Sequence, residues 1–401
     1  MTEWIECTLD SLGEIVGGAT PSTKCKDYYG GDIPWITPKD LSSFNGRYIS
    51  RGERNITEKG LASCSAQMMP KDAVLFTSRA PIGYVAIASQ SVCTNQGFKS
   101  IVVNGKADPL FVYYLLKHYK DTIEAMGSGT TFKEVSGKTM RTVRVRIPLD
   151  VSYQKRIAAV LDSLDTKIEN NKKINDNLQQ QLRTVFKAEF TDNPELENIT
   201  QIPLSELCHV VTKGTTPTTL GKPFVETGIN FIKAESILDD HSIDKSKFAF
   251  IDEETNALLK RSIIHAGDVV FTIAGTLGRF ALIDENVLPA NTNQAVAIIR
   301  ADVEKVLPEY IYTCFIGEWH TDYYAKRVQQ AVQANLSLTT IKSLPIPLLD
   351  EAKMSEYLSL ILPLIKAIKT NEAQNEKLAA LRDNLLPKLM SGEIDVSAVQ
   401  L

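Results

Sequence analysis

Two stretches of this 401-residue chain, about two hundred residues apart, carry the same heptad stripe broken by asparagine at the same two seam positions. In the first, Ile157, Leu161, Leu164 and Ile168 give way to Asn171 and Asn175, then to Leu178, Leu182 and Val185. In the second, Tyr357, Ile361, Leu364 and Ile368 give way to Asn371 and Asn375, then to Leu378 and Leu385, with Leu381 and Arg382 blurring the last turn. Alternating steps of four and three put such residues on one side of an α-helix, and a sustained seam buries against a second helix. The spacing predicts long helices over Tyr153–Ala188 and Tyr357–Leu389.

What precedes each helix is also repeated. Thr20-Pro21-Ser22 returns as Thr216-Pro217-Thr218, Ile33-Pro34-Trp35-Ile36 as Ile229-Asn230-Phe231-Ile232, and Thr94-Asn95-Gln96 intact as Thr292-Asn293-Gln294. Pro109 matches Pro308, and Ile147-Pro148-Leu149 matches Ile346-Pro347-Leu348. Short apolar runs at Ala73–Phe76, Tyr84–Ile87, Ser100–Val103 and Val143–Ile147 read as strands between Gly, Pro and polar turns, and Pro109 opens a helix through Lys120. The expected class is α+β, with two repeated mixed domains and two long helices. The expected boundaries are 1–150 and 204–350 for the domains, 151–190 and 351–392 for the helices, 191–203 for a joint and 393–401 for a tail.

A helix of this length spans roughly 50–55 Å, whereas a joint of about 13 residues reaches at most about 45 Å. Antiparallel helices are therefore the economical arrangement, with a pseudo-twofold axis relating the copies. Under that symmetry Asn171 is expected to face Asn371, a polar pair that would fix register at some cost in stability.

Composition excludes several classes. An apolar share of 43% supports sizeable cores, and no apolar run is long enough to cross a bilayer, so a cytoplasmic protein without a membrane is expected. Six scattered cysteines without a Cys-x-x-Cys pair suggest buried free thiols rather than disulfides or zinc. The net charge of −4 argues against indiscriminate coating of nucleic acid. Residues 1–150 hold 18 Lys+Arg against 15 Asp+Glu, while 201–350 hold 13 against 18, so a nucleic-acid patch is most readily sought in the first half.

Catalytic equipment is missing. There is no phosphate-binding glycine loop, no Asp/Asn-Pro-Pro-Tyr/Phe stretch, and no metal-ligand spacing among the five histidines. Glu351-Ala352-Lys353 matches only the tail of a nuclease-like pattern and suits the first turn of a helix. No catalytic residue and no metal site is assigned.

Recognition chemistry remains. Candidate DNA-contacting residues are Lys24, Lys26, Arg47, Arg51, Arg54, Arg79, Asn95, Gln96, Lys133 and Lys138 in the first copy. In the second they are Lys213, Lys222, Lys260, Arg261, Arg279, Asn293, Gln294, Lys326, Arg327, Gln329 and Gln330. Arginine, lysine, asparagine and glutamine are the side chains that grip phosphates and read base edges. Thr-Asn-Gln, being identical in both copies, suits a shared turn or backbone contact better than sequence reading. Cations that differ between copies are the better candidates for specificity.

The duplicated order of Thr-Pro turn, Thr-Asn-Gln and Ile-Pro-Leu before a long helix resembles the specificity subunit of type I restriction-modification systems. So do Val151-Ser152-Tyr153-Gln154-Lys155-Arg156-Ile157, with Tyr153 where that family usually has an acidic residue, and Leu385-Leu386-Pro387-Lys388-Leu389-Met390-Ser391-Gly392-Glu393-Ile394. The resemblance implies two target-recognition domains, each reading half of a split, asymmetric double-stranded DNA target, with the helix pair as a ruler. It implies partners too: two modification subunits bringing S-adenosylmethionine, and a restriction subunit bringing ATP and magnesium, with no cofactor on this chain. The alternative is a duplicated coiled-coil adaptor that binds proteins and not DNA.

Overall fold

The computed structural model describes residues 3–42, 44, 46–129, 133–193, 199–321, 323–324 and 335–399. Two compact units divide the chain, one made of residues 1–169 and 377–401, the other of residues 170–376. Each long helix is continuous, Val151–Phe190 and Glu351–Ser391, and each contributes one segment to each unit. Both extend at either end past the striped stretches Tyr153–Ala188 and Tyr357–Leu389. Among the described residues no helix is long and apolar enough to cross a membrane.

In the first unit a five-stranded sheet runs in the order Gly13–Gly17, Lys99–Val103, Val74–Ser78, Ile82–Ala88, Tyr48–Ile49, antiparallel except for the last pair. A small parallel pair, Trp35–Ile36 with Cys93–Thr94, leads into the Thr-Asn-Gln turn. The helix Pro109–His118 starts with proline in its first turn and is capped by Asp108, whose carboxylate accepts the Phe111 N–H at 2.9 Å. It is buried from Phe111 through Leu116, as a helix packed on several sides must be. Gln154, fully buried, fastens the long helix beside it. Its oxygen accepts the Asp108 N–H at 3.0 Å, and its nitrogen donates to the Pro148 carbonyl at 2.9 Å.

The core of this unit joins Phe76, Ile101 and Tyr114 to Tyr153, Ile157 and Leu161 of the first long helix and to Leu389, Met390 and Val396. The start of one helix thus lies beside the end of the other, and the two segments run antiparallel. The Tyr153 hydroxyl donates to Asp395 at 2.9 Å and accepts the Val396 N–H at 3.2 Å.

The second unit repeats the plan, with sheet order Cys208–Lys213, Val296–Ala301, Val269–Thr272, Phe280–Leu282. The parallel pair is enlarged here. Ile229–Ile232 and Ala290–Thr292 gain Ala249–Ile251 and Ile263–Ile264 as flanking strands. Leu182, Phe186 and Phe190 pack against Tyr357, Ile361, Ile365 and Ile368, again antiparallel. Fully burying each phenylalanine contributes about 1.5–3 kcal/mol. His241 stacks on Phe280 at 4.0 Å and His320 lies edge-on to Phe271 and Phe280; burial pushes each imidazole down to about 4.

Four expectations need correction. Asn171 does not face Asn371: its amide donates to Gln374 at 2.8 Å and Asn375 at 2.9 Å, while Asn371 donates to Asn175 at 2.8 Å. In an antiparallel pair, advancing along one helix means retreating along the other, so each asparagine meets the non-equivalent one. The strict heptad also fails beyond Asn175, where Gln179, Leu182, Phe186 and Phe190 are buried while Leu178 and Val185 are only partly so. There the helix packs on a globular core as well as on a helix, and the wider face follows 3.6-residue spacing. Arg382 does not blur the seam. It pairs at 2.6 Å with Asp165, which also receives the Tyr114 hydroxyl at 2.7 Å. All six cysteines are free, but only Cys93 and Cys314 are fully buried.

Candidate nucleic-acid interface

The repeated turns form the same latch in both units. In the first, the Ala19 N–H donates to the Thr94 carbonyl at 3.0 Å, Asn95 caps its own turn by accepting the Gly97 N–H at 2.8 Å, and the Thr20 hydroxyl donates to the Gln96 side-chain oxygen. In the second, Thr215 N–H meets Thr292 at 3.2 Å, Asn293 accepts from Ala295 N–H at 3.1 Å, and Thr216 donates to Gln294. Glycine precedes both latches because backbone is too close for a side chain. A Cβ on Gly18 would lie 2.2 Å from the Thr94 oxygen, and one on Gly214 1.9 Å from the Thr292 oxygen. Asn95 and Asn293 therefore serve the turn, while Gln96 and Gln294 stay exposed at the latch.

Different cations stand beside the two latches. In the first unit Arg54 is exposed and lies 4.4 Å over the ring of Tyr29, whose hydroxyl donates to the Pro21 carbonyl at 2.7 Å. Trp35 braces the same loop by donating to the Ala19 carbonyl at 3.0 Å. Arg54 and Arg51 sit on a loop pinned by Asp40, which accepts the Glu53 N–H at 2.7 Å and both the N–H and the hydroxyl of Thr37 at 2.7 Å. Shallow grooves flank the loop, one lined by Lys39, Phe44 and Tyr48, the other by Gly30, Gly31 and Asn55. Among the described residues of the second unit no arginine stacks there. Arg261, exposed on the short helical turn Lys260–Ser262, donates to the Thr215 hydroxyl at 3.4 Å.

The remaining candidates divide by availability. Lys24, Lys26, Arg51, Lys133, Lys138 and Lys260 are exposed and have no ion pair among the described residues. Lys213 is half-buried at a strand end. Arg79 pairs with Glu134 at 3.3 Å, and Arg279 grips Asp239 with two bonds of 2.6 and 2.8 Å. Lys222 pairs with Glu254 at 2.7 Å, a hydrogen bond that holds its ammonium above the ordinary value. Arg47 is a correction. Only 6% exposed, it is engaged by Asp162 at 2.5 Å, Thr166 at 2.9 Å and Glu169 at 3.1 Å, so it fastens the domain to the long helix instead of facing a ligand. Lys326, Arg327, Gln329 and Gln330 lie outside the described residues.

Sequence reasoning missed Tyr29, Trp35 and Asp40, which have no positive charge to offer DNA yet hold in place the loops and side chains that do. The Thr-Pro repeat was the available signal for Thr20 and Thr216.

A family model described as the type I restriction modification DNA specificity domain matches residues 1–180 and again 197–380. Over 417 aligned residues the chain is 34% identical to the type I restriction enzyme MjaIX specificity subunit of Methanocaldococcus jannaschii, covering 98% of this chain and 94% of that one. It is 22% identical to the EcoBI specificity subunit of Escherichia coli, over 98% and 86% respectively. Among solved structures, a type I restriction-modification S subunit from M. genitalium matches with a TM-score of 0.56 at 16% identity, over 97% of this chain and 96% of that one, a likeness of fold.

Proposed function

The chain belongs to the type I restriction-modification DNA specificity family, and from that premise we propose that each unit reads one half of a bipartite, asymmetric double-stranded target through the face around its latch. The observation that carries this is a shared scaffold with unshared cations: one latch twice over, with Arg54 beside the first and Arg261 beside the second. Identical residues cannot distinguish two different half-sites; residues that differ can.

The long helices, one seam recurring in both, act as the ruler that sets half-site spacing, and with their ends they dock two modification subunits. S-adenosylmethionine belongs on those subunits, and ATP with magnesium on a restriction subunit. The chain itself performs no catalysis and works in the cytoplasm, where the host DNA is. In the assembled modification complex, binding to target duplex should weaken steeply with salt as phosphate contacts release counterions. Salt-independent binding to partner proteins, with no DNA shift, would favour the adaptor reading.

Mapping methylated adenines in host DNA against a strain lacking the subunit gives the target directly. Two half-sites at fixed spacing are expected, and a continuous motif would overturn the reading. A four-residue insertion in Val151–Phe190 should alter the spacing and leave the half-sites unchanged.

A further inference from the structure

Just past the latch the two copies part company. Counting from the latched Thr20 and Thr216, Pro21-Ser22-Thr23-Lys24-Cys25-Lys26 aligns with Pro217-Thr218-Thr219-Leu220-Gly221-Lys222, so Lys24 and Leu220 hold one place. In the second unit this segment is a short helical turn, Pro217–Leu220, ended by Gly221 in the left-handed region at φ 70°. It is closed by the Thr219 N–H to Thr216 at 3.0 Å, the Gly221 N–H to Thr218 at 3.1 Å and the Lys222 N–H to Pro217 at 3.1 Å. One end of the turn is latched through Thr216, and Lys222 just past the other end pairs with Glu254.

At its tip Leu220 is 52% exposed. Leu258, one turn beyond the Glu254 that Lys222 grips, is 57% exposed, and Phe224 38%. Lys222 follows Leu220 by two residues, and Lys260 and Arg261 follow Leu258 by two and three, although residues 201–350 carry an acidic excess. Core packing does not account for an aliphatic side chain held out on this closed turn. A base edge with an apolar group does, and in the major groove that group is the C5-methyl of thymine.

We propose that Leu220 is a specificity-determining residue that reads a thymine methyl in the second half-site, while Lys24 at the same place presents a hydrogen-bond donor to the first. The inference rests on the function proposed above. Its test uses the complex assembled with its modification subunits and duplexes carrying the mapped target, with uracil replacing one thymine at a time. Wild type should lose about fourfold in affinity at one second-half position, the worth of about one methyl group removed from water. Leu220→Ser should bind the thymine target about fourfold more weakly, ignore uracil at that position, and keep wild-type behaviour across the first half-site. Its thermal unfolding should be unchanged, since the side chain is half in solvent.

The proposal is overturned if Leu220→Ser keeps the wild-type uracil penalty, if it weakens target and unrelated duplexes alike, or if the second half-site contains no thymine. Failure of the underlying reading looks different: the wild-type complex would then show no preference for the target over unrelated DNA.

Discussion

Both units lock a threonine onto a glutamine across the same tight turn, yet the arginine beside the lock arrives by different routes. In the first it comes from a loop pinned by Asp40 and rests on the ring of Tyr29; in the second it comes from a helical turn and reaches Thr215. The order of four sheet strands and the latch are common to both, while the first sheet adds Tyr48–Ile49 at its edge and the second unit adds two strands flanking the parallel pair. Duplication has preserved what holds the backbone and varied what faces outward. A position is therefore better judged by its twin than by its chemistry alone: Asn95 and Gln96 look like adenine readers until Asn293 and Gln294 are found making the same internal bonds.

The sharpest attempt to break this equivalence is at the glycines. Gly18→Val and Gly214→Val each drive a side chain into backbone that has no room to yield, and each should cost its own unit at least about 3 kcal/mol. Thermal unfolding should show one early transition in each variant. If only one of the two destabilises, the latches are not equivalent.

Acid should separate the units next. Ordinary imidazoles titrate near 6.5, but His241 and His320 are held down to about 4 in the second unit, which also places Arg183 near His241. A depressed folded value means stability complete above about pH 6.5 and lost as the pH falls toward 4, with about 2 kcal/mol for each group gone by about pH 5. The first unit has only His118, shifted the same way by partial burial. Urea unfolding followed at pH 7 and pH 5 should therefore find the second unit weakened more; equal weakening would refute this. His241→Phe with His320→Phe should remove the difference.

The smallest effects should fall on recognition. Arg54→Ala and Arg261→Ala should each cost about 1–2 kcal/mol of DNA binding, confined to one half-site apiece, when duplexes altered in either half are compared. Uniform loss across all sequences would make both arginines phosphate contacts.

Much of this was legible in the sequence because duplication doubles every signal. The helices, the Pro109 helix and the latch residues all stood out as matched pairs, and the strands around Val74 and Ile101 as apolar runs between turns. What stayed hidden depends on partners far along the chain. Nothing local to Arg47 indicates that Asp162, 115 residues later, will bury it. The drift of the seam past Asn175 comes from Trp319 and Tyr310, which turn Phe186 and Phe190 inward. The pairing of Asn171 with Asn375 needed the register, and matching positions in two sequences do not supply it.

The docking of Leu389, Met390 and Val396 into the first unit has a consequence for biosynthesis. The second unit is one uninterrupted stretch, whereas the first needs residues translated after all of it. On the ribosome the half encoded later is thus complete first. The half encoded first waits with part of its apolar surface uncovered until the last segment emerges, so the vulnerable period of synthesis belongs to the domain that was begun earliest.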